Sequence, residues 1–169
     1  MFIEGSLIIQ RPNGIEEYPI TSARYHTCST KVCVNNAPVD DQVVTFAVET
    51  GLATRAVEDN IDSGSTPWLE LNYYYGTSTQ PPKLKAGDKL YIPSGFDKRI
   101  RDWVTNICQF AHEGIDDVWI EVISEAEDLL EIRLTGETED IDSSIDERLK
   151  ARIYVHAYFT LDPATSPSS

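Results

Sequence analysis

A chain of 169 residues with 41% hydrophobic and 25% charged side chains can bury a core of its own and is too apolar to stay unfolded. Its 14 basic residues against 28 acidic ones leave a formal charge of −14, which opposes a nucleic-acid backbone or an anionic membrane surface as partner. No basic segment followed by an apolar one opens the chain, and no run approaches the roughly 20 apolar residues of a spanning helix.

Ser6 to Arg11 and Ile15 to Tyr18 flank Pro12-Asn13-Gly14, a pattern that predicts a β-hairpin with the glycine in its turn. A third extended run, Ala23 to Val34, sets His26, Cys28, Thr30, Val32 and Val34 on one face and Tyr25 on the other. Asn35 to Pro38 breaks it. Asp40 or Asp41 then caps a predicted helix in which Val43, Val44, Ala47 and Val48 form an apolar stripe ending near Gly51, and Thr54 opens a short second turn through Val57. A loop over Asp62 to Pro67 leads to an aromatic turn at Trp68, and a second loop runs from Gly76 to Pro82. Gly87 suits a positive-φ turn before a short strand in which Leu90 and Ile92 point inward and Pro93 ends the pairing.

The helical period is clearest from Asp97 to Ala111, where Ile100, Trp103, Val104, Ile107, Cys108 and Ala111 fall on one face. Ser94 and Asp97 form a capping box at its start and Gly114 an end. Three strands follow, Val118 to Ile123, Leu129 to Thr135 and Leu149 to Thr160, the last with Leu149, Ala151, Ile153, Val155, Ala157 and Phe159 inward. An acidic connection over Gly136 to Glu147 separates the last two, and Ala164 to Ser169 is a tail with nothing to bury. The expected class is α+β: an N-terminal β region over 1–37, a β-α-α-β middle unit over 38–95, an amphipathic helix on a three-stranded antiparallel sheet over 96–163, and a flexible tail over 164–169.

One stretch of the middle unit resembles a known family. The order Phe46 to Leu52, Trp68, Leu71-Asn72, Pro81-Pro82 and then LKAGDKLYIP, with Leu84, Gly87, Asp88, Leu90, Ile92 and Pro93 at its marked places, is similar to the LysM-like modules of phage tail and baseplate proteins. The likeness covers residues about 43–93. The family's opening tyrosine-x-valine strand is not clear here, and the segment between Gly51 and Trp68 is long for it. The resemblance implies a small β-α-α-β unit that serves either as a packing adaptor in a virion or as a binder of N-acetylglucosamine polymers such as peptidoglycan.

Constellations that carry chemistry are few. Asp140, Asp142, Ser144 and Asp146 alternate as in a calcium loop, but Ile145 stands where glycine is needed and Ala151 where a bidentate glutamate is needed, which leaves a solvated turn. Cys108 and His112, four apart, could face each other on a helix as nucleophile and base, yet Cys108 falls on the apolar stripe, where a buried and inert thiol is the ordinary outcome. No ligand set of zinc spacing, no P-loop, no dinucleotide fingerprint and no GxSxG occurs, so neither a metal nor a cofactor is expected. Cys28, Cys33 and Cys108 are expected as free thiols of a chain made in a reducing cytoplasm.

Two aromatic groups remain as candidate binding residues: Trp68, Asn72, Tyr73, Tyr74 and Tyr75 in the middle, and Tyr154 and Tyr158 with His156 on the outer face of the last strand. Three consecutive tyrosines cannot all face one core, so at least one is expected at the surface, whereas Trp68 is expected to belong to the core. The leading expectation is a non-enzymatic adaptor of a phage tail or baseplate, made in the host cytoplasm and located in the virion, whose partners are other tail proteins in many copies. The alternative is a carbohydrate-binding module with peptidoglycan in a groove beside Trp68 to Pro82.

Overall fold

Period-two alternation governs nearly every ordered segment. The computed structural model describes residues 5–55, 66–80, 83–108, 112–139 and 150–162, and among them there is no helix, so the expected α+β class is corrected to all-β. The strands are β1 (Gly5–Arg11), β2 (Gly14–Val34), β3 (Ala37–Thr50), β4 (Trp68–Tyr74), β5 (Lys89–Ile92), β6 (Phe96–Asp97), β7 (Asp102–Trp103), β8 (Thr105–Cys108), β9 (His112–Glu113), β10 (Asp116–Ala126), β11 (Leu129–Glu139) and β12 (Lys150–Leu161). Ten of them form one sheet in the order β5-β10-β11-β12-β1-β2-β3-β4-β8-β9, and β6 pairs with β7 alone.

The expected N-terminal hairpin is present, with Arg11 opposite Gly14 across its turn. It continues into a 21-residue β2, which a bulge between Ile20 and Ser22 bends. The extra residue shifts the inward set from Glu16, Tyr18 and Ile20 to Ala23 and Tyr25, so both halves of β2 face the same core. β12 also pairs directly with β2 in parallel, Thr160 opposite Arg24. The three predicted C-terminal strands are β10, β11 and β12, with Ala151, Ile153, Val155, Ala157 and Phe159 buried as expected. Leu149, most of the acidic connection and the tail lie outside the described residues.

The sheet curls on itself. β8 stands near one end of the strand order and β10 near the other, yet Thr105 in β8 donates its hydroxyl to the Ile115 carbonyl at 2.7 Å and accepts the Ile115 N–H at 2.8 Å. Gly95 permits this approach, because a Cβ there would stand 2.7 Å from the Thr105 Oγ1. One buried cluster results, reaching from Leu7 through Phe46, Leu69 and Ile107 to Phe159, with the Phe46 and Phe159 rings edge-on at 5.9 Å. Inside it the Arg11 Nε lies 3.0 Å from Glu16, whose other oxygen accepts the Tyr18 hydroxyl at 2.7 Å.

Both predicted helices are replaced by extended chain. Residues 43–50 belong to β3, where Val44, Phe46, Val48 and Thr50 are buried with period two and Val43 is buried beside them. Their β-branched and aromatic composition suits a strand with β2 on one side and β4 on the other. The Trp68 segment is likewise a strand, β4, so the β-α-α-β unit implied by the family likeness does not form. The expected turn and short strand after it are present: Gly87 takes a φ of 92°, Asp88 N–H bonds the Lys85 carbonyl at 3.0 Å, and Leu90 and Ile92 point inward.

Residues 97–108 keep part of the helical burial pattern without the helix. Ile100, Val104 and Ile107 are buried as the stripe requires, but Trp103 is 55% exposed and Cys108 only half-buried. The presumed capping residues make turns instead. Ser94 Oγ accepts the Phe96 N–H, Asp97 Oδ1 accepts the N–H groups of Arg99 and Ile100, and Arg101 at φ 56° turns the chain out of a helical path. Val104 N–H then bonds the Gly95 carbonyl and its own carbonyl accepts the Asn72 N–H, both at 2.7 Å.

Asp41, expected as a helix cap, anchors loops. Its side chain is fully buried, its Oδ1 accepts the N–H groups of Gln42, Gly76 and Thr77, and its Oδ2 takes the Arg99 guanidinium at 2.6 Å. Removing the carboxylate strands the buried N–H of Gln42, at about 1–3 kcal/mol, and the part-buried N–H groups of Gly76 and Thr77 at less. Asp41→Ala is expected to destabilise the protein by about 3 kcal/mol, a melting-point fall of roughly 6–12 °C in thermal denaturation. Asp41→Asn, which retains an acceptor but loses the ion pair, is expected to lose less.

Candidate functional site

Outward-facing residues are aligned across the sheet by strand register, because residues opposite one another in an antiparallel ladder share a face. In β10 the inward set is Val118, Ile120 and Val122, which sends Trp119 outward; in β5, Leu90 and Ile92 inward send Tyr91 outward. Pairing sets Tyr91 opposite Trp119, Trp119 opposite Thr135, and Thr135 opposite Tyr154. A lateral row Tyr91, Trp119, Thr135, Tyr154 crosses four strands. The first two rings stack at 4.5 Å between centroids and 28° between planes.

Between Trp119 and Tyr154 the small Thr135 leaves a gap. It is the floor of a shallow cavity of about 210 Å³, closed at one end by Asp117, Glu137 and Arg152. β10 is bulged here: its register with β11 shifts between Asp116 and Trp119, and Asp117 adopts a left-handed φ of 51°, a conformation aspartate tolerates better than most residues. The Asp117 N–H holds the Pro93 carbonyl at 3.1 Å, tying the bulge to the end of β5. Its carboxylate, next to the Tyr91 hydroxyl, with some desolvation raises that phenol above its ordinary range. The neighbouring Tyr154 is the main cause of a raised Arg152 pKa, and the Arg152 Nε lies 3.8 Å from Glu137. The Lys150 ammonium meets Glu137 at 3.4 Å.

Adjacent rows are occupied with their own pairings. Glu121 lies between Lys89 at 3.7 Å and Arg133 at 4.0 Å. Glu131 accepts the Ser124 hydroxyl at 2.7 Å and meets His156 at 2.9 Å, and these two bonds hold its carboxyl below the usual range.

The residues singled out from sequence do not form one site. Trp68 and Asn72 lie on the outer face of β4, while Tyr73, Tyr74 and Tyr75 are all partly buried against the core, the Tyr73 and Tyr75 rings edge-on at 5.1 Å. Trp68, expected in the core, is 36% exposed instead, because position 68 carries the parity opposite to the buried Leu69 and Leu71; its ring meets His112 edge-on at 5.5 Å. Asn72 is committed to structure, its Oδ1 accepting the Thr45 hydroxyl at 2.7 Å. Cys108 and His112 do face each other, as a cross-strand pair of β8 and β9 rather than along a helix. All three cysteines are free. Tyr154 and Tyr158 share the outer face of β12, and of the two only Tyr154 belongs to the cavity. Tyr91, Trp119, Asp117, Glu137 and Arg152 escaped the sequence reading. A signal for the first two was present, since an aromatic ring between two inward aliphatic residues must point out. Among the described residues no cluster of three or more metal-ligating side chains occurs.

Tyr75 provides a pH-dependent test of this arrangement. Its hydroxyl oxygen is buried without a hydrogen-bond partner among the described residues, and burial, then Tyr73 and Asp88, push the phenol up to about 12 from 10.0. The unfolded chain therefore ionises first as pH rises, so the contribution of Tyr75 is complete below pH 10 and is lost between pH 10 and about 12. Tyr75→Phe is expected to be at least as stable as the parent at pH 7 and to lose less stability across that alkaline window in urea titrations. Comparison of the chain with family models, with curated proteins and with solved structures returned no match.

Proposed function

We propose that the chain is a non-enzymatic adaptor subunit of a phage tail or baseplate, working through protein–protein contacts in a multi-copy virion particle. The observation that carries this reading is the placement of its tryptophans: all three, Trp68, Trp103 and Trp119, are among the exposed large hydrophobic residues, at 36%, 55% and 47% exposure. Indole is a large apolar group enriched among the anchors of protein interfaces, so a fold that builds its core from aliphatic residues, phenylalanine and tyrosine while leaving every indole outside is equipped to be gripped.

The rings are also held in place before any partner arrives. Trp103 stands edge-on to Phe96 at 5.5 Å and lies over Gly114, where a Cβ would come within 2.5 Å of the indole. Preorganised anchors lose little conformational entropy on association. A second contact route is the long hairpin of β2 and β3. Residues 26–34 of β2 pair with β3 alone among the described strands, leaving an open edge to which another strand can add. The charge of −14 disfavours nucleic acid as the partner. The tail or baseplate setting itself rests on the sequence order Trp68, Leu71-Asn72, Gly87-Asp88 and Leu90 to Pro93.

The test is incorporation. When the chain is co-expressed with the products of its neighbouring genes, Trp103→Ala, Trp68→Ala or Trp119→Ala is expected to weaken entry into the assembled particle by about 2 kcal/mol or more, roughly thirtyfold. The free variants should keep the parent's circular dichroism and a stability within about 0.5 kcal/mol. Unchanged incorporation of all three variants, or recovery of the parent only as a free chain, would overturn the reading.

A further inference from the structure

We infer that the outer face of β10, β11 and β12 is a saccharide site that takes one uncharged pyranose ring between Trp119 and Tyr154. Three independent features of the cavity lead to this ligand. Its walls are aromatic and stand two strands apart, with Thr135 between them as the floor. Two strand spacings amount to roughly 9.5 Å, the width a single non-aromatic ring needs when a π-face lies on each side. The volume of about 210 Å³ is below the ~300–1,000 Å³ of pockets for drug-sized ligands, which points to one ring rather than a nucleotide or a peptide.

The polar end decides the charge of the guest. Asp117 and Glu137 carry two negative charges, but Lys150 and Arg152 both lie within 4 Å of Glu137, so the local sum is close to zero. A cation would compete with Arg152 and Lys150 for Glu137. An anion would face two carboxylates and the negative field of the whole chain. A polyol meets neither penalty. Its hydroxyls can donate to Asp117 and Glu137 and accept from Arg152, while its C–H face lies on the electron-rich ring of Trp119.

The platform is also built rather than incidental. Tyr91 stacks behind Trp119, and Asp117 occupies the left-handed position of the β10 bulge. That bulge places both the indole and the carboxylate at the same end of the row, as bulges beside binding sites commonly do.

The test uses the whole chain labelled with nitrogen-15, whose three indole N–H signals are assigned by Trp68→Phe, Trp103→Phe and Trp119→Phe. Titration with the methyl β-glycosides of glucose, galactose and N-acetylglucosamine to about 50 mM should shift the Trp119 indole alone, saturating with a Kd on the order of 1–10 mM for at least one of them. Read at the Thr135 amide, Trp119→Ala and Arg152→Ala should each weaken binding at least about tenfold, whereas Trp68→Ala should not. An unmoved Trp119 indole with all three glycosides, or shifts confined to Trp68 or Trp103, would overturn the proposal. Tighter binding of acetyl-arginine amide than of any glycoside would overturn it too, by showing that the cavity receives a protein side chain.

Discussion

Antiparallel pairing of strands far apart in the sequence is the constraint on which the rest of this protein depends. Each strand offers one face to the buried cluster, and the pairing register then decides which outward residues become neighbours. β10 shows both effects together. Its inward Val118, Ile120 and Val122 are buried in the core, and the same alternation delivers Trp119 to the surface between Tyr91 of β5 and Thr135 of β11. A one-residue slip of β10 would move Trp119 into the interior and scatter the aromatic row. Core and surface row are thus two consequences of one register, with the bulge at Asp117 adjusting the second without disturbing the first.

Closure of the sheet is a separate problem, solved with hydrogen bonds rather than apolar contact alone. Thr105 stitches β8 to the start of β10 through a close approach that Gly95 allows, and Asp41 gathers the chain at residues 76, 77 and 99 around one buried carboxylate. Irregular segments carry many unpaired N–H groups, and a buried carboxylate with several acceptor sites answers that demand economically. The stretch from Phe96 to Val104 can therefore lie across the molecule with only the short β6–β7 ribbon as regular structure and still present Trp103 in a defined position against Gly114.

The surface divides into parts with different chemistry. Rows through Glu121 and Glu131 satisfy their charges with lysine, arginine, histidine and serine neighbours. The row through Trp119 instead keeps aromatic faces open beside a locally neutral set of charges. Trp68 and Trp103 lie elsewhere, on β4 and on the β6–β7 ribbon. The adaptor reading draws on all three indoles and the saccharide site on Trp119 alone, so Trp68 and Trp103 are the residues that separate the two.

Alternation was readable directly from the residues wherever a strand buries one face. The N-terminal hairpin, the Gly87 turn with Leu90 and Ile92, the strands β10 to β12 and the inward set of β12 all followed from period two and turn chemistry, which are local properties. Even the burial of Ile100, Val104 and Ile107 was legible, although the helix that seemed to explain it is absent. What only the tertiary structure decided was the conformation of segments whose apolar residues satisfy both periods, such as Val43 to Val48. There, flanking strands that accept every backbone group favour the extended form. It also decided the site. Tyr91, Trp119 and Tyr154 are 28 and 35 residues apart in turn, and no local pattern relates them; pairing across the sheet makes them neighbours.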